Sequence, residues 1–179
     1  KEQLGFREEQ FVLLIVGWRL DEEISDEFLQ MLDSLCRKDA RIVAAFMGKY
    51  QNYEESIKKY PLLAANSRCL GAQEDALAVT ECMDLYVNPK RNGGGSSVAE
   101  ALYKGLPAVT LPVGDVSAAA GESFRVADYG EMAETILHFA SDEDYYERMS
   151  RLAEERAEQL MDSKNSFCGV IDELEQDMN

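Results

Sequence analysis

The chain has one histidine, one tryptophan, four prolines and four cysteines among 179 residues. The lone imidazole, His138, sits between Leu137 and Phe139 with no evident Ser or Cys partner, so it reads better as a satisfied helix residue than as a catalytic base. Cys36, Cys69, Cys82 and Cys168 include no C-x-x-C pair, and one His cannot complete a zinc set with them. Free thiols in a reducing cytosol are expected, with a cytoplasmic location and no metal site. Basic residues are scarce too: 18 Lys and Arg stand against 34 Asp and Glu, a net charge of −16. That balance lacks the basic footprint that nucleic acid or an anionic membrane surface requires. The longest apolar run, Phe11 to Val16, has six residues, far below the roughly 20 that span a bilayer, and nothing near Lys1 has the form of a signal peptide.

What is present is an alternation of short apolar runs and amphipathic stretches. Phe11 to Val16 is continuous and rich in β-branched and aliphatic residues, as suits a parallel strand covered on both faces. Ile24, Phe28, Leu32 and Leu35 then recur at helical spacing, with Ser25 and Asp21 available as caps. Arg41 to Phe46 reads as a strand, Tyr53 to Tyr60 as a helix stopped by Pro61, and Ser67 to Leu70 as a strand ended by Gly71. Gln73 to Met83 reads as a helix, Asp84 to Asn88 as a strand, Ser96 to Lys104 as a helix and Ala108 to Leu111 as a strand. Strict alternation predicts an α/β fold, a doubly wound parallel sheet of Rossmann-like form over residues 10–125. Residues 1–9 lead into it, and residues 126–179 carry extra C-terminal helices, from about Gly130 to Ala140 and from Asp142 to Met161. The whole length suits one domain.

Charge is uneven along the chain. Residues 128–179 hold 15 acidic and 4 basic side chains, the pattern of solvated helical faces. Asp142-Glu-Asp144 belongs with them, as the start of a helix whose dipole acids favour, and not as a metal-holding D-x-D. Residues 88–125 differ, with Lys90, Arg91, Lys104 and Arg125 against Glu100, Asp115 and Glu122. That stretch can receive an anion.

Open parallel sheets bind ligands at the carboxyl ends of their strands. The loop there that stands out is Asn88-Pro-Lys-Arg-Asn-Gly93-Gly94-Gly95-Ser96-Ser97, which leaves a strand, gives up side chains at three positions and enters a helix. Bare backbone allows close approach, and the free N–H groups and dipole of the helix start favour phosphate. It is neither a Walker A loop, since no Gly-Lys-Ser/Thr follows, nor a G-x-G-x-x-G after the first strand. By itself it fits a flexible turn as well as a phosphate site. Glu100, one turn into the helix, can accept both hydroxyls of a ribose, or can be an ordinary solvated glutamate. Asp115, after Leu111-Pro-Val-Gly, faces the same end of the sheet and fits a sugar contact and a turn cap equally well.

Asn92-Gly-Gly-Gly-Ser-Ser-Val-Ala-Glu100-Ala-Leu-Tyr-Lys-Gly-Leu-Pro-Ala-Val resembles, in register over 18 positions, the donor-binding half of the GT-B glycosyltransferases of the retaining, group 1 kind. Val16-Gly-Trp-Arg19-Leu20 is similar to that family's Gly-Arg-Leu, and Leu70-Gly71 with Asp84-Leu-Tyr-Val-Asn-Pro89 to its later blocks, so the resemblance spans about residues 11–125. It implies that Glu100 holds the ribose, that Gly17, Arg19 and the backbone of Gly94, Gly95, Ser96 and Ser97 hold the diphosphate, and that Arg68 to Leu70 line the base. Arg19 and Asn92 take the catalytic positions. Two departures stand out: Asn92 replaces the family's first glutamate, and Glu22 and Glu23 replace its phosphate-binding lysine.

The resemblance further implies a donor half that takes a nucleotide diphosphate sugar, a UDP-sugar by expectation, with no metal or other cofactor. The acceptor domain that would precede it is not in the chain and would be its partner. A fragment of a UDP-sugar 2-epimerase and an inactive, partner-binding transferase-like subunit are the alternatives.

Overall fold

Val12, Leu13, Leu14 and Ile15 are completely shielded from solvent, as suits a strand covered on both faces. The computed structural model describes residues 1–162. In chain order its elements are β1 (Phe11–Gly17), α1 (Leu20–Glu23), α2 (Asp26–Lys38), β2 (Ile42–Gly48), α3 (Tyr53–Ile57), α4 (Pro61–Ala65), β3 (Ser67–Gly71), α5 (Ala76–Thr80), β4 (Leu85–Val87), α6 (Gly95–Tyr103), β5 (Ala108–Val109), α7 (Gly114–Ala120), α8 (Tyr129–Ser141) and α9 (Glu143–Met161). The strands form one five-stranded sheet in the order β3-β2-β1-β4-β5, with every pairing parallel. This is the expected doubly wound sheet.

β1 pairs with β2 along its full length, from Phe11 opposite Ile42 to Gly17 opposite Gly48. At its other edge β1 meets β4, so the strand order reverses between them and their carboxyl ends flank a crevice. Gly17 and Gly48 bring the two strand ends close: Gly48 has φ 121°, and a Cβ there would overlap the Gly17 carbonyl. Lys49 N–H donates to that carbonyl at 3.1 Å instead.

Helices cover both faces. Ser25 caps α2 by accepting from Phe28 N–H at 3.2 Å, Asp26 and Glu27 lie in its first turn, and Arg37 and Lys38 in its last, each placed to suit the helix dipole. Its buried side, Phe28, Leu29, Leu32 and Leu35, packs toward α4 and α8. Across the sheet α6 packs on α5, α7 and α9. Asp142 caps α9 through Tyr145 N–H at 2.9 Å, so Asp142-Glu-Asp144 is a helix start. His138 lies 3.2 Å from Asp142 and stacks on Tyr145 at 3.9 Å between ring centres. Cys168 and the chain beyond residue 162 lie outside the described residues.

Several boundaries differ from the sequence reading. Pro61 opens α4 at its first turn, where its missing N–H costs nothing, so the stretch expected to end there continues as a second helix. Asp33 then accepts from Leu62 and Leu63 N–H at 3.0 and 2.9 Å. The helix expected over Gln73 to Met83 is confined to α5, because Gln73 folds back to the Leu70 carbonyl at 2.5 Å and Asp75 caps Ala78 N–H. The last strand is two residues long, and Thr110 instead bridges to Arg125. α1 and α7 were not expected.

The thiols differ sharply in environment. Burial, and secondarily the charge of Asp33, pushes the Cys36 thiol up to about 12, while Cys69 is exposed on the edge strand. Alkylation proceeds through the thiolate. Iodoacetamide at about pH 8 should therefore modify Cys69 readily and leave Cys36 intact until urea unfolds the chain, as peptide mass mapping of a time course will show.

Candidate functional site

The crevice between the carboxyl ends of β1 and β4 contains a cavity of about 400 Å³. Val16, Gly17 and Trp18 form one wall, Met47 and Gly48 the floor toward β2, Ala72, Gln73 and Ala76 a second wall, and Gly93, Gly94, Ser96 and Ser97 the third. Two charged side chains, Glu23 and Arg91, enter it.

The third wall is shaped by the backbone. Gly94 has φ 114°, a conformation L side chains rarely adopt, and a Cβ there would lie 2.8 Å from Asn88 Oδ1 and 3.1 Å from Arg91 Nη2. The turn releases the chain into α6, whose Ser96 and Ser97 line the crevice. Gly95 N–H donates to Asp115 Oδ1 at 3.1 Å, and Asp115 N–H to the Asn92 carbonyl at 3.0 Å, so α7 pins the glycine loop from outside. Beneath the loop Tyr86, fully buried, joins Ser97 Oγ at 2.9 Å and donates to Asn88 Oδ1 at 3.3 Å. Burial raises its phenol above the usual range, keeping it a neutral hydrogen-bonding group.

Arg91 is the centre of the network. With its side chain only 6% exposed, it donates from Nε and Nη2 to Asn88 Oδ1 at 2.9 and 2.8 Å, from Nη2 to the Val16 carbonyl, and from Nη1 to Glu23 at 2.5 Å. Glu23 is itself 15% exposed. Four of the five N–H donors of this buried guanidinium thus meet acceptors from β1, α1 and the loop after β4.

Residues 1–156 match the family of glycosyl transferases group 1. The chain belongs to that family. Among solved structures, the sheet and its helices superpose on WaaG, a glycosyltransferase involved in lipopolysaccharide biosynthesis, with a TM-score of 0.75 at 17% identity over 88% of this chain and 45% of that one. A variant of the Thermobaculum terrenum O-GlcNAc transferase gives 0.76 at 16% identity over 98% and 37%. HepE from Anabaena, in complex with UDP and glucose, gives 0.74 at 17% over 98% and 50%. The chain therefore spans half or less of each of these proteins. No curated protein sequence matches it.

For this group 1 glycosyltransferase chain the structure brings together only part of the expected site. Gly17, Gly94, Ser96 and Ser97 line the cavity, and Gly95 lies beside it, its N–H held by Asp115. Arg19 stands at the rim, 69% exposed, 3.6 Å from Glu22 and 4.0 Å from Glu23. Asn92 is exposed and engaged through its backbone. Glu100 is exposed and does not line the cavity, yet it follows Ser96 by four residues and Ser97 by three, which puts it on their helix face one turn further in. Arg68 and Leu70 do not line the cavity: Arg68 covers the ring of Phe6 at 5.8 Å on the edge strand, and Ala72, Gln73 and Ala76 form the wall that follows β3. Trp18 and Gly48 were not anticipated at the site, Glu23 was noted only as a replacement for a phosphate-binding lysine, and Arg91 only as one cation of a stretch that can receive an anion. For Arg91 the signal was available, a cation two residues before three glycines.

The three glycines of the loop are not equivalent. A Cβ on Gly93 meets nothing, whereas one on Gly94 is strained and crowded. Urea unfolding should find Gly93→Ala within about 0.5 kcal/mol of the parent and Gly94→Ala less stable by roughly 1–3 kcal/mol; equal effects would show that the loop is not held as described.

Proposed function

We propose that this chain is the donor-binding part of a metal-independent glycosyltransferase that takes its sugar from a nucleoside diphosphate sugar of the UDP class, with the acceptor side supplied from outside residues 1–179. The observation that carries the reading is the glycine loop opening α6 directly onto the cavity at the strand-order reversal. A diphosphate there would lie against the Gly94 turn and the first N–H groups of α6, where backbone donors and the dipole favour negative charge. A nucleoside continuing along the helix face from Ser96 and Ser97 would bring its ribose to Glu100, and its base toward Ala72 and Gln73. The relatives agree in kind: HepE binds UDP and glucose, and WaaG and the O-GlcNAc transferase bear names of sugar transfer.

In the reaction the acceptor oxygen forms its bond to the anomeric carbon as the bond from that carbon to the phosphate oxygen breaks. Charge gathers on the departing diphosphate. Preorganised N–H groups and guanidinium groups stabilise such charge because they need not reorient as it develops. α6 and Arg91 are placed for this, with Arg19 at the rim, and the acceptor proton leaves to a base outside this chain. Asn92 offers a sugar hydroxyl a neutral partner.

Glu22 and Glu23 in place of a cation, and Asn92 in place of a carboxylate, favour a second reading, a transferase-like subunit that binds a partner and not a nucleotide. Calorimetry separates the two. UDP and UDP-GlcNAc should bind the chain in preference to GDP, with Glu100→Ala weakening UDP by about tenfold. Trp18, the sole tryptophan and 71% exposed at the cavity wall, should change its emission with the same affinity. Absence of binding at millimolar ligand by a folded chain would favour the partner-binding subunit.

A further inference from the structure

A guanidinium has five N–H donors, and four of those of Arg91 are engaged: one on Glu23, one on Val16 and two on Asn88. A single Nη1 hydrogen is left for a ligand. The cation best placed to meet a phosphate is therefore already neutralised, and the carboxylate that neutralises it faces the same cavity. An arriving diphosphate meets attraction and repulsion from adjacent atoms.

The surrounding glycines make room for this arrangement. A Cβ on Gly17 would overlap Arg91 Nη1 and lie 3.0 Å from Glu23 Oε2, and one on Gly94 would press on Arg91 Nη2. A second cation waits on the outer side: Arg19 Nη2 stands 4.0 Å from Glu23 Oε1. Glu23 thus lies between a buried arginine and an exposed one.

We propose that Glu23 competes with the ligand's phosphate for Arg91 Nη1, so that Arg91 is the phosphate-binding cation and Glu23 a positioning residue that withholds it. This rests on the nucleotide reading of the cavity. On binding, Arg91 keeps Asn88 and Val16 and exchanges one partner, carboxylate for phosphate. Arg19 closes on the freed Glu23, and the exchange leaves no charge alone. The affinity of the site for diphosphate is set by this exchange, and a nucleoside without phosphate is indifferent to it.

The test is calorimetry on the 179-residue chain with UDP, inorganic pyrophosphate and uridine, beside Glu23→Gln, Arg91→Met and the double variant, each checked by thermal unfolding. Glu23→Gln keeps an oxygen for Arg91 but removes the competing charge, and should tighten UDP and pyrophosphate by about tenfold while leaving uridine unchanged. Arg91→Met should weaken UDP by at least about tenfold and abolish the gain in the double variant. Binding of UDP by the parent with no gain in Glu23→Gln, or an equal gain for uridine, overturns the exchange and leaves the nucleotide site standing. Folded parent and Glu23→Gln chains that bind neither UDP nor pyrophosphate overturn both. Should Glu23→Gln not fold, the parent decides alone: UDP and pyrophosphate, but not uridine, should move the Arg91 Nε–H resonance in a nitrogen-15 titration, and a stationary signal overturns the proposal.

Discussion

The guanidinium of Arg91 joins three segments that the strand order would otherwise leave loosely apposed: the end of β1, the single turn of α1 and the loop after β4. A charge this enclosed is tolerated only when acceptors surround it, and stripping one partner from a buried pair typically costs about 3–5 kcal/mol. The position of the glycine turn follows from it. Asn88, 1% exposed, turns its oxygen to Arg91 and its amide to the Pro89 carbonyl at 2.9 Å, which sets where the chain can rise toward Gly93 and Gly94. Tyr86 and Ser97 brace the same turn from below and α7 from outside. A loop with so few side chains of its own is held by its neighbours.

How much of this was legible in the sequence depends on the range of the cause. β1 and β2 were read almost to the residue, because a run such as Val-Leu-Leu-Ile has no other comfortable place than a covered strand. The capped helices α2 and α9 were read for a similar reason, each beginning at a Ser or Asp whose side chain accepts from the backbone three residues on, and the same cap at Asp128 sets the start of α8, which was expected at about Gly130. α5 was overestimated because apolar spacing through Gln73 to Met83 said nothing of Gln73 turning back to Leu70. α7 was missed because Gly-Asp-Val-Ser-Ala-Ala-Ala opens on a glycine with φ 73° and has little amphipathic pattern, while its place is fixed by contact with Asn92 and α6.

The site divides in the same way. Its glycines were visible, since consecutive positions without side chains mark backbone that something must approach or that must turn against the usual hand. The role of charge was not. Arg91 and Glu23 are 68 positions apart, and nothing in either neighbourhood says that both are enclosed or that they meet. Arg19, which the motif favoured, is the exposed member of the cluster, and the buried member comes from the opposite loop. Motif register conveys which strand ends meet at a ligand. It does not convey which of several cations the fold shields from water, and that shielding decides which one acts strongly on a phosphate.

The overall charge sharpens the point. At −16 the chain repels a nucleoside diphosphate at distances of several ångströms and more, so long-range attraction cannot gather the ligand as it does for basic proteins. Most of that surplus lies in residues 128–179, away from the glycine loop in sequence. Screening by salt reduces repulsion between exposed charges and leaves short contacts inside a cavity largely intact. On the proposed nucleotide reading, affinity for the anion would arise within a few ångströms, from the N–H groups of α6 and from a guanidinium sheltered from both water and the acidic surface. A cation exposed to solvent, such as Arg19, would have its field spread through water and offset by Glu22 and Glu23 at its side. On the proposed nucleotide reading, a cation enclosed in the crevice beside an internal carboxylate is the arrangement by which so acidic a chain would meet a phosphate.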